Sequence, residues 1–76
     1  MPREATSADV VAEMVANVIK VVVAVGDAVA VGDTVVLLES MKMEIPVLAE
    51  GSGKLTRLAV AEGDVIQEGD LIAVIG

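Results

Sequence analysis

Residues 23–35, Val-Ala-Val-Gly-Asp-Ala-Val-Ala-Val-Gly-Asp-Thr-Val, return 37 positions later as residues 60–72, Val-Ala-Glu-Gly-Asp-Val-Ile-Gln-Glu-Gly-Asp-Leu-Ile. Both copies hold Gly-Asp, four residues, and Gly-Asp again. The same offset aligns Glu13 with Glu50, Val18 with Leu55, Lys20 with Arg57, and Leu37-Leu38 with Val74-Ile75. The chain of 76 residues is therefore one domain built from two copies of a unit, residues 10–39 and 47–76, joined by residues 40–46. Two copies are too few for a solenoid, which needs at least about three, so the halves are expected to interlock around a two-fold. Residues 1–9 are polar, small or Pro and are expected to form a flexible N-terminal segment.

Each unit has the composition of β structure. Val and Ile together supply 21 residues, and both favour a pleated, half-buried surface. Strands are expected over 18–23 and 35–39, and over their counterparts 55–60 and 71–75. Residues 10–14 are expected to be a strand because they match 47–51. Glycine supplies positive φ and aspartate bonds its own backbone in turns, so each Gly-Asp marks a corner. Only four residues separate paired corners, 28–31 and 65–68, which is room for a very short strand. About four strands per half make an all-β fold, either two facing antiparallel sheets or a flattened barrel.

Composition removes several function classes. With no His and no Cys, the Ser-His-Asp, Cys-His and zinc-hydrolase chemistries are excluded, and no disulfide braces the chain. A net charge of −7 opposes binding to phosphate backbones or anionic lipid, and the absence of aromatic residues removes base stacking. Residues 18–38 are apolar and long enough to span a bilayer, yet Lys20, Gly26, Asp27, Gly32 and Asp33 break them into strands and turns. The start, Met1-Pro2-Arg3-Glu4, lacks a charged-then-apolar signal pattern, and the expected location is the cytoplasm.

The joint, Ser40-Met41-Lys42-Met43-Glu44-Ile45-Pro46, breaks the repeat. It lies between two expected strands, which predicts a tight hairpin, but neither Gly nor Asn occupies its tip. A Lys between two Met residues must then adopt an unusual backbone conformation, and local rules broken at one place point to function. Lys42 is predicted to protrude at one pole as an exposed amine. Met41 and Met43 either cap the core as flexible gap-fillers or meet a partner. Glu39 and Glu44 are either a solubilising pair across the hairpin or partner contacts.

The run Glu39-Ser40-Met41-Lys42-Met43-Glu44 closely resembles the attachment motif of the biotinyl/lipoyl attachment domain family. The resemblance covers residues 10–75, including the Gly-Asp pairs, the hairpin, and Ala49-Glu50-Gly51-Ser52-Gly53-Lys54-Leu55 at the start of the second half. It implies a flattened β-barrel of two four-stranded antiparallel sheets with a quasi-dyad. It also implies a biotin protein ligase that activates biotin as biotinyl-5′-AMP, whose acyl carbon is attacked by the ε-amine of Lys42 to form an amide. Nothing near Lys42 in sequence would activate the amine, so the ligase is expected to do so. Met41, Met43, Glu39 and Glu44 become candidate ligase-recognition residues.

The family further implies a biotin carboxyl carrier, presenting covalent biotin to biotin carboxylase and carboxyltransferase subunits. Such a carrier contributes reach and effective concentration rather than catalytic groups. It is expected to be non-catalytic, metal-free and monomeric.

Three departures from the family pattern stand out. Residues 12–17 lack the usual Pro and Gly, which leaves Asn17 as the expected positive-φ residue. Ser40 replaces a common Ala. Residues 28–31 leave no room for the extra loop called a thumb, so biotin is expected to be loosely held. A lipoyl domain would usually carry Asp rather than Met before the lysine. An unmodified binding module and a biotinylated protein with a storage or regulatory role are the other readings.

Overall fold

The computed structural model describes residues 8–76. Along them run eight strands: β1 (Ala8–Val11), β2 (Ala16–Val21), β3 (Ala28–Val29), β4 (Thr34–Ser40), β5 (Met43–Leu48), β6 (Gly53–Leu58), β7 (Val65–Ile66) and β8 (Leu71–Ile75). One sheet has the order β1-β8-β6-β3 and the other β5-β4-β2-β7. All pairings are antiparallel. Advancing by 37 residues carries β2 onto β6, β3 onto β7, β4 onto β8 and β1 into β5, so it carries one sheet onto the other.

The four Gly-Asp corners share one construction. In each, the Asp N–H donates to the carbonyl three residues back, from Asp27 to Ala24, Asp33 to Ala30, Asp64 to Ala61 and Asp70 to Gln67. The Asp Oδ2 in turn accepts that earlier residue's N–H at 2.9 Å in every case. The glycine before each Asp has φ of 92–97°, the positive value required at the third position of a type II turn.

These corners also tie the halves together. Gly26 N–H donates to the Leu55 carbonyl and Leu55 N–H to the Asp27 carbonyl. Gly63 and Asp64 make the same exchange with Val18. Gly32 and Asp33 bond Ala49 as Gly69 and Asp70 bond Ala12. Each half therefore satisfies backbone groups of the other, and the two-fold is an interlock rather than a docking of finished units.

Between the sheets the core is entirely Val, Ala, Leu and Ile. Its members recur at the repeat offset: Ala12 with Ala49, Val18 with Leu55, Val29 with Ile66, Val35 with Ile72, Val36 with Ala73, and Leu38 with Ile75. Small aliphatic side chains suit two sheets this closely tied at their corners.

Strict alternation of inward and outward residues fails at four places, also in symmetric pairs. The β4–β5 register slips between Thr34 and Val36, and the β1–β8 register slips between Val10 and Val11 opposite Leu71 and Ala73. The extra residues, Val35 and Ile72, are both buried beside a buried neighbour. Slips between Val18 and Lys20 and between Leu55 and Arg57 leave two consecutive exposed residues in β2 and β6. A bulge sets two residues against one, which is how a two-residue period is broken without ending the strand.

Several boundaries differ from expectation. The first strand runs over Ala8–Val11 rather than 10–14, because Ala8 and Asp9 pair with Ile75 and Val74 while Ala12 is drawn into the bond with Asp70. Residues 8 and 9 thus belong to the sheet, and the remainder of the expected N-terminal segment lies outside the described residues. The joint is also shorter than 40–46, since Met43–Leu48 is strand β5, whose later part is the counterpart of β1. Asn17 sits within β2, and the positive-φ residues other than Gly are Met41 and Lys42 among the described residues.

Candidate functional site

Strands β4 and β5 form a hairpin whose last pair is Ser40 with Met43, leaving a loop of two residues, Met41 and Lys42. Their φ values are 53° and 64°. Two-residue hairpin loops of the I′ kind need positive φ at both positions, because only that twist matches the twist of the flanking strands. Asn-Gly is the usual solution. Here two ordinary L-residues adopt the conformation, at a cost of about 1–2 kcal/mol each. The long β4–β5 ladder, running from Thr34–Leu48 to Ser40–Met43, holds the loop in it.

The result is a hairpin tip that stands in solvent. Lys42 is exposed, Met41 is 91% exposed and Met43 is 63% exposed. Neither methionine caps the core, so that structural role is removed. Two thioether side chains flank one amine in open solvent.

Behind the tip a row of side chains crosses the whole sheet. Glu44 pairs with Glu39, Glu39 with Asn17, and Asn17 with Val65. Directly opposed residues share a face, so β5, β4, β2 and β7 each contribute one side chain to this row. All four are exposed. Two carboxylates facing each other across a hairpin are mildly unfavourable, so Glu39 and Glu44 do not hold the hairpin closed. Sequence reasoning named both glutamates but missed Asn17 and Val65 as neighbours of the site. Val65 comes from the other half, and its place beside Asn17 follows from the interlock.

The quasi-two-fold equivalents of Asn17 and Glu39 are Lys54 and Gly76, which exchange backbone bonds of 3.2 and 2.9 Å. The described ends of the chain, Ala8 and Gly76, therefore lie where symmetry would place a second hairpin. Among the described residues there is one such tip, and it bears the only lysine of the joint.

A two-sheet sandwich holding a single amine outward on a strained hairpin defines a carrier domain, in which the protein supplies placement and the attached group supplies chemistry. The chain belongs to the Biotin-requiring enzyme family, whose model matches residues 4–75. It is 63% identical over 67 residues to a Biotinylated protein TB7.3 homolog of Mycobacterium leprae, spanning 88% of this chain and 94% of that one. It is 51% identical over 72 residues to the Biotin-dependent acyl-coenzyme A carboxylase alpha3 subunit of the same organism, covering 93% of this chain and 12% of the subunit. Among solved structures, the urea carboxylase of Kluyveromyces lactis superposes with a TM-score of 0.87 at 37% identity, over all of this chain and 7% of that one.

Proposed function

We propose that this chain is a biotin carboxyl carrier-type protein that takes biotin on Lys42 from a biotin protein ligase and presents it to components of a biotin-dependent carboxylase. One observation carries the reading. Among the described residues, the one stretch where residues other than Gly hold positive φ is also the place where a lone amine is offered between two solvent-facing methionines. Strain retained at a surface loop has to be repaid by function, since an Asn-Gly tip would close the same hairpin more cheaply.

The chain's part in loading is to present Lys42 exposed at the hairpin tip. The neutral amine attacks an acyl carbon activated by the ligase, adenylate leaves, and the nitrogen gives up a proton as the amide forms. Met41 and Met43 offer the ligase two pliable apolar contacts on either side of the amine. Glu39 and Glu44 offer it an acidic row just below. Biotin fits this site chemically because it needs one accessible primary amine and supplies its own reactivity. Similarity to a biotinylated protein over nearly its whole length and to a carboxylase subunit supports the carrier role. The reading includes action in the cytoplasm as a monomer.

The test is intact mass after incubation with a biotin ligase, ATP and biotin. The parent gains one biotin, and Lys42→Arg gains none while keeping its fold. Label on Lys20 or Lys54 would overturn the assignment. Streptavidin capture from cells should then bring down carboxylase subunits; biotinylated protein arriving without them would favour a storage or regulatory role.

A further inference from the structure

Strands β1 and β5 are the outer strands of their sheets, each with one side unpaired among the described residues. Between them lies a hollow of about 780 Å³, its walls including Val10, Val11, Met14, Ile45, Val47 and Leu48. Val11, Met14 and Leu48 are exposed there. Asp9, Glu13 and Glu50, all exposed, border the same hollow, and among the described residues no basic side chain does. The repeat does not call for so apolar a seam. The positions equivalent to Met14 and Ile45 are Gly51 and Ala8. The two free edges differ as well. An unpaired edge is a template for an added strand, and a Pro is one device that closes it. Strand β5 carries Pro46, which has no N–H to give, whereas the equivalent residue of β1 is Asp9, which keeps its N–H. One edge is blunted, and its twin beside the apolar seam is open.

We infer that this seam is a docking surface for an extended segment of another protein, its side chains alternately apolar and basic, which adds to the β1 edge as a fifth strand. Main-chain bonds to the edge supply affinity in this mode, and alternate side chains supply specificity. Side chains of a strand point to opposite faces in turn, so one set enters the seam and the other stays in water. The apolar set meets Val11, Met14 and Leu48, and the basic set meets the carboxylates of Asp9, Glu13 and Glu50. Charge also selects between occupants. A second copy of this chain, with its own net charge of −7, would set acidic rim against acidic rim, and a basic segment is drawn in. Lys42 is not among the walls, so a segment docked here leaves the amine exposed. The inference does not depend on what Lys42 carries.

The experiment titrates the full chain with the capped peptide Lys-Val-Lys-Val-Lys-Val and follows its amide NMR spectrum. Docking predicts shifts along β1 and at Met14 and Leu48, weaker as salt is raised. The capped peptide Glu-Val-Glu-Val-Glu-Val should produce none. Asp9→Pro copies Pro46 onto the open edge and should abolish the shifts with spectral dispersion intact, whereas Asp9→Asn keeps the N–H and should retain them. Leu48→Asp, a change at an exposed position of the seam on β5, should also abolish them and does not touch the β1 backbone. Glu13→Gln with Glu50→Gln should weaken the peptide about fivefold. Lys42→Arg should bind it as the parent does. A peptide that binds the parent, Asp9→Pro and Leu48→Asp alike, or that shifts residues around Lys42 instead, would overturn the docking surface. Shifts at β1 that grow with protein concentration before any peptide is added would overturn it too, because a second copy would then cover the edge. A chain that takes up biotin but does not bind the peptide loses this inference alone, and one that binds the peptide but takes up no biotin loses only the carrier reading.

Discussion

The four Gly-Asp corners and the Met41-Lys42 tip solve the same problem, reversing a chain within a few residues, by opposite means. At each corner the positive φ falls on a glycine, which adopts it freely, and the following Asp accepts the N–H that would otherwise lose a partner. At the tip the positive φ falls on Met and Lys, with no glycine among the loop residues. The corners are built for stability, and they lock the halves together. The tip gives up stability to place a particular side chain in solvent. The cost of the second is affordable because of the first.

This contrast can be broken in graded steps. Exchanging two symmetry-related corner glycines together, Gly26→Ala with Gly63→Ala, should have the largest effect, about 2–4 kcal/mol in urea unfolding. The single change Gly63→Ala should cost about half of that. No atom lies within 4 Å of a methyl at either position, so the penalty is backbone conformation alone. A small effect at both sites would show that the corners tolerate L-residues as the tip does. Asp64→Ala removes the capping carboxylate at 2.9 Å from the Ala61 nitrogen and should cost about 1 kcal/mol by the same measurement.

At the tip the sign should reverse. Replacing Met41-Lys42 by Asn-Gly should raise stability by about 1 kcal/mol while abolishing biotin uptake. A destabilised Asn-Gly variant would mean that the tip is not strained. The smallest thermodynamic effect belongs to Lys42→Arg, which should leave the unfolding midpoint within about 0.5 kcal/mol of the parent.

Much of the framework was legible along the chain because its determinants are local. A corner needs a glycine and the aspartate beside it, and a two-residue loop needs only its flanking strands, so the repeat and the hairpin could both be recognised from adjacent residues. Lys42 at the tip followed from the same logic. Harder to foresee were the bulges. Val35-Val36 and Ile72-Ala73 are buried in succession because the register slips there, and the slip is set by the strand opposite. Ala8 and Asp9 looked like an unstructured lead-in on composition, but β8 offered them an unpaired edge. Asn17 was expected to turn the chain in the absence of Gly, whereas pairing with Glu39 and Val65 keeps it extended.

Local backbone chemistry, written into neighbouring residues, thus specified the two-fold plan, its corners and the lysine that stands outside it. Long-range pairing settled which side chains surround that lysine. Glu44, Glu39, Asn17 and Val65 come from four strands and both halves, and they form one row only because the sheet aligns them. Shifting one strand by a single residue would turn its member of the row to the opposite face. Packing of the shared core selects that register, and no stretch of neighbouring residues contains it.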